Sequence, residues 1–136
     1  YHVNKKNLIL IDDYAHHPEE LKSLIKSVRK LYPNRELFLI FQPHLFSRTK
    51  NLEDDFCSAL ELADKIGLLD IYPAREIPIE GINSKNLLKK INLKNKWYIN
   101  HKNINDVLCS ESPSLIVTAG AGDIYKLIPI IKSTLT

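Results

Sequence analysis

Leu8-Ile9-Leu10-Ile11, running straight into Asp12-Asp13-Tyr14-Ala15-His16-His17-Pro18, is the stretch that decides how this chain is read. A continuous apolar run of strand-forming residues stops at two acids, a phenol and two imidazoles, and Pro18 then opens a helical pattern. Crowding titratable groups at one strand end costs desolvation and repulsion. A helix cap needs only one such residue, so the crowding points to chemistry where the strand stops.

Outward from there the chain alternates. Apolar positions at Leu21, Leu24, Ile25, Val28, Leu31 and Tyr32 predict a helix from Pro18, with Glu19 and Glu20 at its positive end and Arg29 and Lys30 at its negative end. Leu37 to Phe41 is apolar on both faces, as a strand covered by helices requires, and it ends in Gln42-Pro43-His44-Leu45-Phe46-Ser47-Arg48-Thr49. Thr49 or Asn51 is then expected to cap a helix whose first turn holds Glu53, Asp54 and Asp55. Lys65 to Ile71 reads as a third strand, ending in Asp70-Ile71-Tyr72-Pro73-Ala74-Arg75-Glu76 and an irregular loop to Gly81. A helix over Ser84 to Ile91, a strand over Lys96 to Ile99 and a helix near Asn105 to Cys109 follow. Leu115 to Thr118 is the last strand, Ala119 to Asp123 a turn, and Ile124 to Leu135 a helix that Pro129 kinks or restarts. Tyr1 to Asn4 is a candidate edge strand.

This order predicts one α/β domain over residues 1–136: a Rossmann-like, doubly wound, mostly parallel sheet of five or six strands with helices on both faces. Such folds bind ligands beyond the carboxyl ends of their strands. The loops rich in His, Asp, Tyr and Arg all follow strands directly, whereas Pro33-Asn34 and Lys94-Asn95 at the opposite edge carry nothing comparable.

The 136 residues are 44% hydrophobic and 26% charged, and no apolar run reaches the length of a membrane span. With no signal-peptide pattern at Tyr1 to Lys6, a cytoplasmic protein with no membrane partner is expected. The formal charge of +3 is spread over positions such as Lys22, Lys26, Arg29 and Lys30, which describes a solvated surface and argues against a nucleic-acid partner. Cys57 and Cys109 are expected to be buried small apolar side chains. There is no methionine and the first residue is Tyr1, which suggests a domain excised from a longer protein. None of the four glycines forms a phosphate-binding loop, so any nucleotide phosphates would be cradled elsewhere in that protein.

Asp12, Asp13, Asp123, Glu76, His16, His17, His44 and Arg48 thus gather on one face. An Asp/His cluster could hold a metal in a stand-alone hydrolase, but adjacent His16 and His17 are expected to diverge, and no metal site is predicted. Arg48 can grip a carboxylate or phosphate, or pair with Glu53 or Asp54. The Gly120-Ala121-Gly122 turn can offer N–H groups to an anion, or simply let strand and helix pack closely. No serine elbow exists, and neither cysteine precedes a helix beside a histidine.

Taken together, Asp12 to Pro18, Phe41 to Thr49, Asp70 to Glu76 and Gly120-Ala121-Gly122-Asp123-Ile124 closely resemble, in order and spacing, the C-terminal domain of the Mur ligases. The Asp-Tyr-Ala-His element is shared by several members. The Phe41 to Thr49 segment points to the alanine-adding branch, and the murein-peptide recycling ligases share the first motif but not the second. The resemblance implies a three-domain cytoplasmic enzyme of peptidoglycan synthesis that uses ATP and Mg2+ to join L-alanine to UDP-N-acetylmuramate through an acyl phosphate. Its N-terminal and central domains would be partners in the same chain, and the central domain would hold the phosphate loop and magnesium ligands. The domain here would close over the site, inactive alone. By the same resemblance Asp13 and Tyr14 lie near the nucleotide. His16, His17, His44 and Arg48 would face the incoming amino acid, with Gly122 and Asp123 lining the same pocket, and an imidazole would orient the amine or take its proton. Many members carry arginine where this chain has Leu45, which shifts anion binding onto Arg48.

Overall fold

A computed structural model describes all residues 1–136. Strand β1 (Val3–Lys5) turns back into β2 (Leu8–Asp13), and α1 (Pro18–Leu31) leads to β3 (Phe38–Phe41). Two short helices, α2 (Phe46–Asn51) and α3 (Glu53–Leu60), precede β4 (Lys65–Leu68). Then come α4 (Ser84–Lys90), β5 (Lys96–Tyr98), α5 (Ile104–Glu111) and β6 (Leu115–Ala119). A 3-10 turn over Ile124–Leu127 runs into α6 (Ile128–Leu135), so Pro129 restarts a helix in its first turn rather than kinking one.

The sheet has six strands in the order β1-β2-β6-β3-β4-β5, all parallel except the antiparallel edge strand β1. Because β6 returns between β2 and β3, the winding direction reverses there, and a crevice opens beyond the carboxyl ends of these three strands. Successive side chains of β3 alternate between two cores. Leu39 and Phe41 join Leu21, Ile25 and Phe56 on one face, while Phe38 and Ile40 join Ile104, Leu108 and Ile131 on the other. Each such buried side chain contributes about 1.5–3 kcal/mol of transfer free energy. At the amino edge Arg35 donates to the carbonyls of Ser114 and Lys6, tying the β1–β2 turn to β6.

Three expectations need correcting. The β3–β4 connection turns helical at Phe46, not beyond Thr49, and Leu52 rather than Thr49 or Asn51 stands before α3. Thr49 is buried, and its hydroxyl donates to the Leu45 carbonyl. β4 ends at Leu68, because the chain beyond pairs only at one point, His44 beside Tyr72. Cys57 is buried, with its thiol pushed up to about 11 chiefly by that burial, but Cys109 is exposed on α5. No helix is long and apolar enough to cross a membrane.

Candidate functional site

Strand β2 delivers the first cluster. Asp12 is held by a 2.7 Å hydrogen bond from the Thr118 hydroxyl on β6, and Asp13 Oδ1 accepts from the Ala15 N–H at 2.9 Å, folding the strand end into a tight turn. That turn buries Ala15 and leaves Tyr14 69% exposed. His16 and His17 follow immediately before α1. The Glu20 carboxylate reaches back to accept from the N–H groups of both, at 3.2 and 3.0 Å, and these bonds hold it below its ordinary pKa. This reciprocal cap bends the backbone so that the two rings converge, with centroids 4.7 Å apart, contrary to the divergence expected of adjacent histidines. One ligand atom from each of His16, His17 and Glu20 lies within 4.8 Å of the others. The carboxylate oxygen there is already engaged by two N–H groups at a helix start, where the dipole disfavours a cation.

Strand β3 delivers the second cluster. Leu45 adopts φ 73° and ψ 133°, and this turn swings the chain into α2, which carries Arg48 one helical turn after His44. Arg48 donates to His44 Nδ1 at 3.1 Å. A guanidinium has no lone pair to offer, so Nδ1 must be the acceptor and neutral His44 carries its proton on Nε2. Burial, followed by the charges of Arg48 and His16, keeps the His44 pKa below its ordinary value. His16 presents the opposite tautomer. Its Nδ1 lies 2.9 Å from the Tyr14 carbonyl, which can only accept, so in the neutral ring Nε2 is left as a free acceptor. The rings of His16 and His44 sit 5.8 Å apart, joining the two clusters. Arg48 therefore pairs with His44 here, while Glu53 is engaged by Lys90.

Tyr72 divides the carboxyl edge. Its ring stacks on His44 at 5.5 Å and 13°, and a side chain at Gly122 would meet Tyr72 and Gln42 Oε1 at 2.6 Å. Beyond this wall, Asp123, Asp70, His101 and Lys126 line a separate cavity of about 480 Å3. Tyr14, His16, His17, His44 and Arg48 thus form one continuous group, Gly122 packs behind it, and Asp123 faces away across Gln42. Gln42, a buried residue that spacing alone did not single out, pins the Gly120–Asp123 turn by donating to Asp123 Oδ1 at 2.7 Å and accepting from the Ile124 N–H at 3.0 Å. The Gly120 N–H is engaged by the Asp13 carbonyl, so the turn's first role is packing. Glu76, expected on this face without a role, lies against Ser47, which spacing did not single out. Glu76 accepts from the Ser47 N–H at 3.0 Å and from its hydroxyl, and these bonds lower its pKa.

The class these features define is a doubly wound α/β domain whose converging imidazoles and single guanidinium gather at its topological switch. The model for the family "Mur ligase, glutamate ligase domain" matches residues 2–122, and the chain belongs to that family. A UDP-N-acetylmuramate--L-alanine ligase of Christiangramia forsetii is 49% identical over 135 residues, covering 99% of this chain and 30% of the relative. The chain therefore spans about 30% of the length of such curated relatives. Among solved structures, a UDP-N-acetylmuramate-alanine ligase of Thermotoga maritima matches 98% of this chain and 28% of its own, with TM-score 0.71 and 25% identity. A crystallised domain attributed to a UDP-N-acetylmuramate:L-alanyl-γ-D-glutamyl-meso-diaminopimelate ligase of Haemophilus ducreyi shares the fold at TM-score 0.69 and 14% identity. That match spans 96% of this chain and 93% of the crystallised one.

Proposed function

We propose that this chain is the amino-acid-reading, closing domain of an ATP-dependent ligase that joins L-alanine to UDP-N-acetylmuramate. The observation that carries the reading is the Arg48–His44 pair: a guanidinium held at 3.1 Å from an imidazole whose Nε2–H, in the neutral ring, is left as a second donor. Two donors of this kind suit the carboxylate of a free amino acid. His16, with Nε2 unprotonated and 5.8 Å between its ring and that of His44, is the group placed to take a proton from the amine. His17 backs it from 4.7 Å.

In the reaction, ATP phosphorylates the muramate carboxylate and departs as ADP, the alanine nitrogen attacks the acyl carbon and gives up a proton, and the C–N bond forms as the acyl C–O bond breaks and phosphate leaves. Mg2+ would neutralise phosphate charge during the first step. This chain's acids are largely committed: Asp12 to Thr118, Asp13 Oδ1 to Ala15 and Glu20 to the α1 cap. The residues present therefore fit a metal poorly, and the N-terminal and central domains are the place for it. Exposed Tyr14, with the outer oxygen of Asp13, is offered to the nucleotide when the domains close. Separating reading from phosphate chemistry lets closure exclude water before the acyl phosphate forms.

The test is steady-state kinetics of the full-length ligase with Arg48→Ala and Arg48→Lys. Losing a charge-assisted bidentate contact raises KM for alanine by about 100-fold with KM for ATP unchanged, and lysine restores only part of it. Unchanged alanine KM in Arg48→Ala overturns the reading.

A further inference from the structure

α2 carries Arg48, yet it begins without a cap of its own. Its N-cap residue is Leu45, which has no side-chain acceptor and sits at φ 73°. The first-turn N–H of Ser47 is taken instead by a carboxylate 29 residues away, that of Glu76, which also accepts from the Ser47 hydroxyl. The loop bringing Glu76 there is itself turned by a left-handed Ala74 at φ 53°, and it is closed by the Glu76 N–H donating to Pro73 at 2.9 Å. A second tie runs alongside, from the Leu45 N–H to the Tyr72 carbonyl at 2.9 Å. A strained non-glycine residue thus lies on each of the two loops that these ties join, and strain of about 1–3 kcal/mol each persists only where the surroundings enforce it. An anion at a helix start is favourable, and this one also lies close enough to Arg48 for the guanidinium to help lower its pKa.

We propose that Glu76 is the positioning residue of the amino-acid site: by capping α2 from the β4 loop it fixes the direction in which Arg48 meets His44 and the substrate carboxylate. Glu76 touches neither substrate nor the reacting atoms and acts through Ser47 and Arg48. The inference rests on the ligase reading for its kinetic test and on geometry alone for its spectroscopic one.

Both are made on the full-length ligase. Glu76→Ala removes every acceptor, whereas Glu76→Gln keeps one for the Ser47 N–H. Loss of a cap of this kind misplaces Arg48 enough to raise KM for alanine by about tenfold, while kcat and KM for ATP stay within about twofold. Glu76→Gln rescues most of that. In 15N-histidine spectra, with His44 assigned from a His44→Gln sample, wild-type His44 holds its proton on Nε2, and Glu76→Ala loses that preference. An unchanged alanine KM together with an unchanged His44 tautomer overturns the proposal. So does an equal rise in both substrates' KM values with a lowered melting temperature, which marks a merely structural role. A wild-type enzyme that ignores alanine sinks the ligase reading instead, and the tautomer experiment still decides on Glu76.

Discussion

His44 and His16 hold opposite tautomers because their Nδ1 atoms have opposite partners, a guanidinium and a carbonyl. In their neutral forms one imidazole is thereby a donor and its neighbour an acceptor, with the Glu20 carboxylate 3.6 Å from His16 Nδ1. The depressed pKa of His44 also has a stability consequence. Its ordinary value is 6.5, and the folded value lies lower, so between the two the unfolded chain binds more protons and stability falls as pH falls. The contribution is present above 6.5 and is lost on acidification through the folded value. Thermal melting from pH 7 downward should therefore decline below 6.5 in the wild type and decline less steeply in His44→Gln. The losses from Glu20 and Glu76 belong to a lower window, below 4.5, where those depressed carboxyls take up protons. Behind the same ring, Gly122→Ala would press a methyl group to 2.6 Å from Tyr72 and Gln42. We expect it to cost about 1–3 kcal/mol in urea unfolding, and to disturb His44 through the ring stacked upon it.

At the scale of elements, what could be read from sequence followed from what is local. β2, β3 and β6 are apolar runs, and α1 has its stripe, its proline and its terminal charges within one segment, so each is visible without tertiary information. α2 was not visible, because the residue before Phe46 is Leu45, which has no capping side chain and is a poor candidate for φ 73°. Its cap lies in another loop. The convergence of His16 and His17 was hidden for the same kind of reason, since it depends on Glu20 folding back, and adjacent residues in a regular element would diverge. A consequence is specific to Leu45. Glycine there relieves about 1–3 kcal/mol of strain and returns about 0.5–1 kcal/mol of unfolded-state entropy, along with some lost burial. Leu45→Gly should therefore leave urea-unfolding stability within about 1 kcal/mol of wild type, which few Leu→Gly changes do. A loss like that of a core substitution would show that the turn is not strained.

At the scale of the molecule, one sheet sandwiched by two cores supports a single loop-built edge. Leu39 is completely buried in the core that backs α1 and α3, and Leu39→Ala should cost about 2–5 kcal/mol, read by urea denaturation. The Haemophilus domain, crystallised at nearly this length, shows that the fold stands without further domains. On the proposed reading the chemistry does not: nucleotide, muramate and metal would be held by the remaining length of such a ligase, and this chain spans about 30% of its relatives. On the proposed function, this edge reads a single free amino acid. That reading is tested most directly by ADP release from the full-length ligase supplied with UDP-N-acetylmuramate, ATP and either L-alanine or the tripeptide L-alanyl-γ-D-glutamyl-diaminopimelate. Turnover with L-alanine and little with the tripeptide is the expected result. Turnover with the tripeptide alone would make this a recycling ligase, and no ADP release with either acceptor would overturn the ligase reading altogether.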